Sequence, residues 1–272
     1  MDITGSAFVI GASGIGRSCA IAFAKAGARS LTLADINLES ALAVVKECQS
    51  FSSNPEFRAD GVEVDVTLED SVQTVMNHAV STYGRIDYCV NSAGVGVKIA
   101  SETADANIEE FNNMLKVNTT GTFIVTRIMS AIMKAQESHS VDPSSPGRGT
   151  TRGCIVNLGS ASSFVATPKM IQYTASKHAV IGITKNAALD NAAYGIRVNS
   201  VCPSWVDTPM IRKAMDNIPD LGKMIESAVP LGRIATTEEV ADAVMFFCSP
   251  RSSYATGCNL ILDGGTTLSS NI

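Results

Sequence analysis

Short apolar runs alternate with longer stretches of helical period along the whole chain. The short runs, rich in β-branched and aliphatic residues, fall at 7–10, 30–34, 62–66, 88–91, 154–158, 197–202 and 259–262. Each is too brief for a globular helix and reads as a strand. Between them, apolar positions recur every three to four residues and predict helices at 14–26, 38–48, 68–83, 108–136, 173–193 and 237–247. In the first of these, Ile15, Cys19, Ala22 and Phe23 share one face. Strands separated by helices pair in parallel and are covered on both sides. The expected fold is therefore α/β: a doubly wound, Rossmann-like parallel sheet in three layers, α/β/α. No repeat or boundary interrupts the pattern, so residues 1–272 are expected to form one domain.

Two segments depart from the alternation. Residues 138–153 are polar and rich in Pro, Gly and Ser, which predicts a mobile surface loop inserted ahead of a strand. Ligands of such sheets bind at the other, C-terminal ends of the strands, so this loop is expected to lie away from the chemistry. Residues 205–229 carry Met210, Ile211, Met215, Ile218, Leu221, Met224 and Ile225. An adaptable, methionine-rich lid over a ligand and a lid merely packed on the core explain that composition equally well.

Bulk composition narrows the function classes. Charged residues make up 17% of the chain and the net charge is −5 without a basic stripe, which argues against nucleic acid as a partner. The seven cysteines are scattered, and the three histidines lack ligand spacing; buried thiols and no metal are expected. No apolar run is long enough to span a membrane or to serve as a secretory signal. A soluble, cytoplasmic protein that binds no membrane is the expectation.

The first strand runs into Gly11-Ala-Ser13-Gly14-Ile15-Gly16 and then a helix. Glycines in that position let the backbone approach a pyrophosphate, and the helix N-terminus offers free N–H groups. Asp35 ends the second strand, nineteen residues past Gly16. A carboxylate there accepts from ribose hydroxyls and repels a 2′-phosphate, so NAD(H) is favoured over NADP(H). Arg17 could offset that preference by meeting a phosphate. Asp65, followed by Val66, can accept from an adenine amino group, and Asn91-Ser-Ala93-Gly94 leaves room for a ribose.

The run Tyr173-Thr-Ala-Ser-Lys177 places a phenol and an ammonium four residues apart, with Ser160 thirteen residues before the tyrosine. On a helix the two share a face, and a fixed positive charge beside a phenol favours its phenolate. Such a group can exchange a proton with an alcohol or carbonyl.

Taken in order, these motifs resemble the short-chain dehydrogenase/reductase family over nearly the whole chain. Gly11–Gly16 is similar to the family's glycine loop, and Asn91-Ser-Ala-Gly94 to its Asn-Asn-Ala-Gly. Asn118, Ser160, Tyr173 and Lys177 match its catalytic tetrad. Pro203-Ser-Trp205-Val206-Asp-Thr208 resembles the segment that meets the nicotinamide, while Pro230-Leu-Gly-Arg-Ile and Asp263-Gly-Gly265 match C-terminal signatures. The resemblance implies hydride transfer between nicotinamide and a secondary alcohol or ketone. Tyr173 would be the acid/base, and Lys177 would assist it and hold the ribose. Ser160 would bond the substrate oxygen, and Asn118 would anchor a water on the proton path. It also implies a homo-oligomer, dimer or tetramer.

Departures matter as much. The loop is one residue shorter than the family's, with Ile10 where threonine is usual, so a bracing hydroxyl is missing. Ser204 replaces a glycine and would be strained if that position needs positive φ. Phe164, Trp205 and Met210, with Ser160 and Tyr173, are the expected substrate contacts, pointing to an apolar or cyclic, polyketide-like small molecule of secondary metabolism. NAD preference leans towards alcohol oxidation. A redox-silent binding protein and a non-redox isomerase or cyclase on the same fold are the alternatives.

Overall fold

The structure, a computed structural model, describes residues 3–268. Strand β1 (Ser6–Ile10) leads through α1 (Gly14–Lys25) to β2 (Ser30–Asp35), and α2 (Leu38–Phe51) leads to β3 (Arg58–Glu63). After α3 (Glu69–Tyr83) and β4 (Tyr88–Asn91) the chain forms α4 (Ile108–Met114) and α5 (Thr122–Ala135). A small hairpin, β5 (His139–Ser140) with β6 (Thr150–Thr151), precedes β7 (Gly153–Leu158), α6 (Ile171–Ala192) and β8 (Ile196–Pro203). The chain continues through α7 (Pro209–Asn217), α8 (Leu221–Ala228) and α9 (Thr237–Cys248) to β9 (Asn259–Leu262).

Seven strands pair in parallel in the order β3-β2-β1-β4-β7-β8-β9. Along β1 the side chains alternate between two cores. Ala7 and Val9 join α1, α2 and α9 on one face, while Phe8 and Ile10 join α3 and α5 on the other. Both faces being covered, the strand is buried at every position, which is why it reads as an unbroken apolar run. The expected three-layer, doubly wound architecture is the one observed. The order in which strands are added reverses between β1 and β4, the place where such sheets open a ligand crevice.

Three elements differ from expectation. The third strand lies at Arg58–Glu63, not 62–66. It is an edge strand, pairs with β2 alone and is mostly half-exposed, so its Arg-Ala-Asp-Gly start carries no apolar signal. The helix expected over 108–136 is split by a π-helical turn at Leu115–Gly121. The segment 138–153 has structure of its own: Arg148 Nη1 donates to the Pro250 carbonyl at 2.9 Å and to Ser253 Oγ at 3.1 Å. It precedes β7, at the N-terminal edge of the sheet.

Gln136 secures that edge. Its Oε1 accepts from the Ile86 N–H at 2.8 Å, and its Nε2 donates to the carbonyls of Ile86 and Arg152 at 3.0 and 2.8 Å. Leucine there would strand three backbone groups that meet no other side chain among the described residues. Gln136→Leu is expected to cost on the order of 2–3 kcal/mol in urea unfolding; a loss within error would mean that water satisfies these groups unaided.

Candidate active site

The end of β1 is shaped by a close backbone approach. A Cβ on Gly16 would lie 2.0 Å from the Gly11 carbonyl oxygen, so α1 can rest on the strand end only with glycine there. Gly11 and Gly14 take φ of +104° and +48°, values that favour glycine. Ser13 is exposed and caps α1 without a side-chain cap bond, while Ile15 packs against the core. The first turn of α1 thus presents unpaired N–H groups beside glycines, a geometry suited to an anion.

Asp35, at the end of β2, faces this loop. One carboxylate oxygen accepts from the Ala12 N–H at 2.6 Å and the other from the Asn37 N–H at 2.8 Å. Arg17 turns away to Glu47 on α2, bonding it through both Nε and Nη2. That pairing raises the guanidinium above its ordinary value.

Asp65 and Val66 fall beyond β3 rather than inside it. Asp65 accepts from the Thr67 N–H at 2.9 Å, and Val66 is buried against Gly121 of the π-helical turn. From β4, Asn91 Nδ2 donates to Thr122 Oγ1 at 3.3 Å while its buried Oδ1 has no partner. Ala93 packs on the core, and Gly94 leaves space that a Cβ would fill 3.3 Å from Asn118 Oδ1 and 3.7 Å from Lys177 Nζ. Across the crevice, Pro203 ends β8, and buried Val206 bridges to Ala235. Thr208 caps α7 and approaches Gly14, its methyl 3.1 Å from where a Cβ would stand. Ser204 is not strained: among the described residues the non-glycine positive φ values belong to Lys169 and Asp220.

The four candidate proton-transfer residues come from three segments: the π-helical turn, the 3-10 turn after β7, and α6. Lys177 is buried and its Nζ donates to the Leu158 carbonyl at 2.9 Å, tying α6 to the end of β7 two residues before Ser160. The same Nζ lies 5.8 Å from the centre of the Tyr173 ring. Tyr173 is half-buried, and its hydroxyl has no protein partner among the described residues. Ser160 is buried at the start of a 3-10 turn, Ala161–Ser163. Its Oγ accepts from the Ser162 N–H at 3.1 Å, which leaves the hydroxyl proton free to donate.

Asn118 sits in the π-helical turn, 1% exposed. Its side chain exchanges bonds with the Val95 N–H (2.8 Å) and carbonyl (3.0 Å) and donates to Ser176 Oγ at 3.1 Å. Both amide protons and the amide oxygen thus clamp the loop after β4 to α6, and the backbone carbonyl of Asn118 accepts from Thr122 Oγ1 at 2.7 Å. Ser176 and Thr122 were not singled out from the sequence. Ser176 stands inside the Tyr-to-Lys run, and Thr122 lies one helical turn after Asn118, so spacing could have flagged both.

Of the expected substrate contacts, Met210 reaches the loop after β4, its Sδ 2.8 Å from where a Cβ on Gly96 would stand. Trp205 is half-buried with its carbonyl bonded to Ala235, and Phe164 is exposed at the end of the turn that Ser160 starts. All seven cysteines are free thiols. Among the described residues no three His, Cys, Asp or Glu side chains group as a metal would need, and no helix is long and apolar enough to cross a membrane.

Comparison with known proteins supports the same grouping. A family model described as Enoyl-(Acyl carrier protein) reductase matches residues 9–267. Short-chain dehydrogenase srdC of Neurospora crassa is 66% identical over 272 residues, covering 100% of both chains. The 2,5-dichloro-2,5-cyclohexadiene-1,4-diol dehydrogenase of Sphingobium indicum is 34% identical over 268 residues, 98% of each chain. A short-chain type dehydrogenase/reductase from Mycobacterium ulcerans superposes with a TM-score of 0.87 at 24% identity, covering 98% of this chain and 92% of that one; it bears on the fold. A family model matching residues 9–267 and a short-chain dehydrogenase 66% identical over the whole chain place this chain in the short-chain dehydrogenase/reductase family.

Proposed function

We propose that the protein is an NAD(H)-dependent dehydrogenase/reductase that interconverts a secondary alcohol and a ketone on an apolar or cyclic small molecule. The observation that carries the reading is Tyr173: a phenol free of protein partners, with the buried Lys177 ammonium 5.8 Å from its ring. The crevice fits a dinucleotide. Gly94 keeps clear a space beside Asn118 and Lys177, Gly16 lets α1 rest on the end of β1, and the first turn of α1 offers N–H groups for a pyrophosphate. A bound nicotinamide would supply the hydride acceptor or donor. Gly11, Ser13, Gly14, Ile15 and Gly16 would hold the pyrophosphate, with Thr208 alongside. Asp65 and Val66 would border the adenine, and Asn91, Ala93 and Gly94 the nicotinamide ribose with Lys177. Pro203 and Val206 would wall the ring.

In alcohol oxidation Tyr173 takes the hydroxyl proton, and in reduction it returns one to the nascent alkoxide. Lys177 stabilises negative charge on the phenol oxygen. Ser160 donates its free proton to the substrate oxygen as charge builds there. Asn118, by clamping the Val95 loop and Ser176, fixes where Lys177 and Gly94 stand; a water on its carbonyl would carry the proton onward.

Two features support NAD over NADP. The Asp35 carboxylate stands at the end of β2, and Arg17, the nearest candidate to neutralise a 2′-phosphate, is held by Glu47. For the substrate, α7 places no residue in the core and α8 only Ile225. Met210 and Met224 are thus available as a pliable apolar surface rather than as packing. Residues 205–229 would act as the lid. A relative named for a cyclohexadiene diol supports a cyclic alcohol. Exposed Phe123 and Leu189 on α5 and α6 support assembly into a dimer or tetramer.

Titration of the ligand-free protein, followed by fluorescence, is expected to show NADH binding about tenfold or more tighter than NADPH; the reverse order would remove the selectivity given to Asp35, and no binding of either would end the dehydrogenase reading. With a panel of cyclic secondary alcohols, Tyr173→Phe is expected to lower kcat by about 10²–10⁴ while NADH affinity holds. Ser160→Ala should lower kcat by about 10²–10³ with little change in NADH affinity. Turnover surviving in the tyrosine variant would refute its role.

A further inference from the structure

We infer that Asp35 is a positioning residue for the glycine loop itself, built in where the loop is one residue short and Ile10 replaces the usual hydroxyl. Its two carboxylate oxygens hold two different backbone amides. Oδ2 accepts from the Ala12 N–H at 2.6 Å, inside the loop, and Oδ1 from the Asn37 N–H at 2.8 Å, at the start of α2. A third bond runs the same way: the Gly11 N–H donates to the Ala34 carbonyl at 2.8 Å. The loop is thus drawn sideways onto the end of β2 by adjacent residues 34 and 35. Hydrogen bonds to an ionised acceptor are roughly twice as strong as neutral ones, so the carboxylate is a strong tether for this loop.

The geometry separates two roles that one side chain performs. A carboxylate has about four acceptor sites. Two serve Ala12 and Asn37, and the remainder are open to the ribose hydroxyls assigned to it above. Removing the carboxylate therefore does more than lift the repulsion of a 2′-phosphate. It also releases the Ala12 amide and loosens the stretch between Gly11 and Gly14, where the pyrophosphate cradle takes its shape. Asp35 cannot be exchanged to switch cofactor preference without also weakening the site that either cofactor uses.

The brace exists in the ligand-free chain, so its first test needs no cofactor and stands apart from the choice of NAD or NADP; only the second readout rests on the proposed dinucleotide reading. Amide hydrogen exchange is measured at Ala12 and Asn37 in the ligand-free protein and in Asp35→Ala. The variant is expected to exchange Ala12 at least tenfold faster, and to bind both NADH and NADPH more weakly than the parent. Unchanged exchange at Ala12, or tighter NADPH binding in the variant, would overturn the inference. Should Asp35→Ala not fold, Asp35→Asn keeps the shape but replaces one acceptor by a donor. At least one of the two amides must then exchange faster, and protection of both at the parental level would overturn the brace.

Discussion

Parallel pairing is the constraint from which the rest of this structure follows. A parallel strand cannot be reached by a tight turn, so each of the six steps from one sheet strand to the next is a crossover. Each crossover begins at the same edge of the sheet. The ends of β1, β2, β4, β7 and β8 are therefore neighbours, although Gly11 and Pro203 lie far apart in sequence. That edge gathers the glycine loop, Asp35, Asn91, Ser160 and Pro203, and α6 brings Tyr173 and Lys177 to it through the bond from Lys177 to the Leu158 carbonyl.

Behind that edge lies a polar seam between the sheet and α5. Thr122 joins Asn118 to Asn91, and one turn on Thr126 reaches Asn157, whose amide also donates to Thr184. Ser130 then meets Asn191. These side chains are all buried, and burying them is tolerable because most of their polar atoms find partners. The seam gives Asn118 a rigid seat. The π-helical turn lets its side chain reach Val95 and Ser176 while its carbonyl meets Thr122, and Gly121 at the end of the turn allows Val66 to close against it.

The two unusual features of the crevice are physically linked. A shorter glycine loop has fewer residues with which to satisfy its own backbone, and the nearest available acceptor is the carboxylate that ends the neighbouring strand. Asp35 reaches Ala12 because β1 and β2 are paired in register up to Ile10 and Ala34. The arrangement ties the glycine loop, the end of β2 and the start of α2 into one unit. The segment of α7 and α8 is the opposite case. Most of α7 and α8 stays outside the core, so their position over Gly96 rests on few contacts such as that of Met210.

The sequence by itself determined the layer architecture, the glycine loop, and the Tyr173–Lys177 pair. These depend on local period, on φ values open to glycine, and on helical spacing, all of which are written in neighbouring residues. It could not show β3, because an edge strand with one partner and half-exposed faces needs no apolar alternation. It could not show the π-helical turn, from which Asn118 bonds Val95 and Ser176, residues 23 and 58 positions away. Nor could it show that Asp35 grips the loop or that Arg17 is claimed by Glu47, since both are settled by which side chains the sheet brings within 3.2 Å. Residue types named the chemistry; the parallel sheet decided which of them meet.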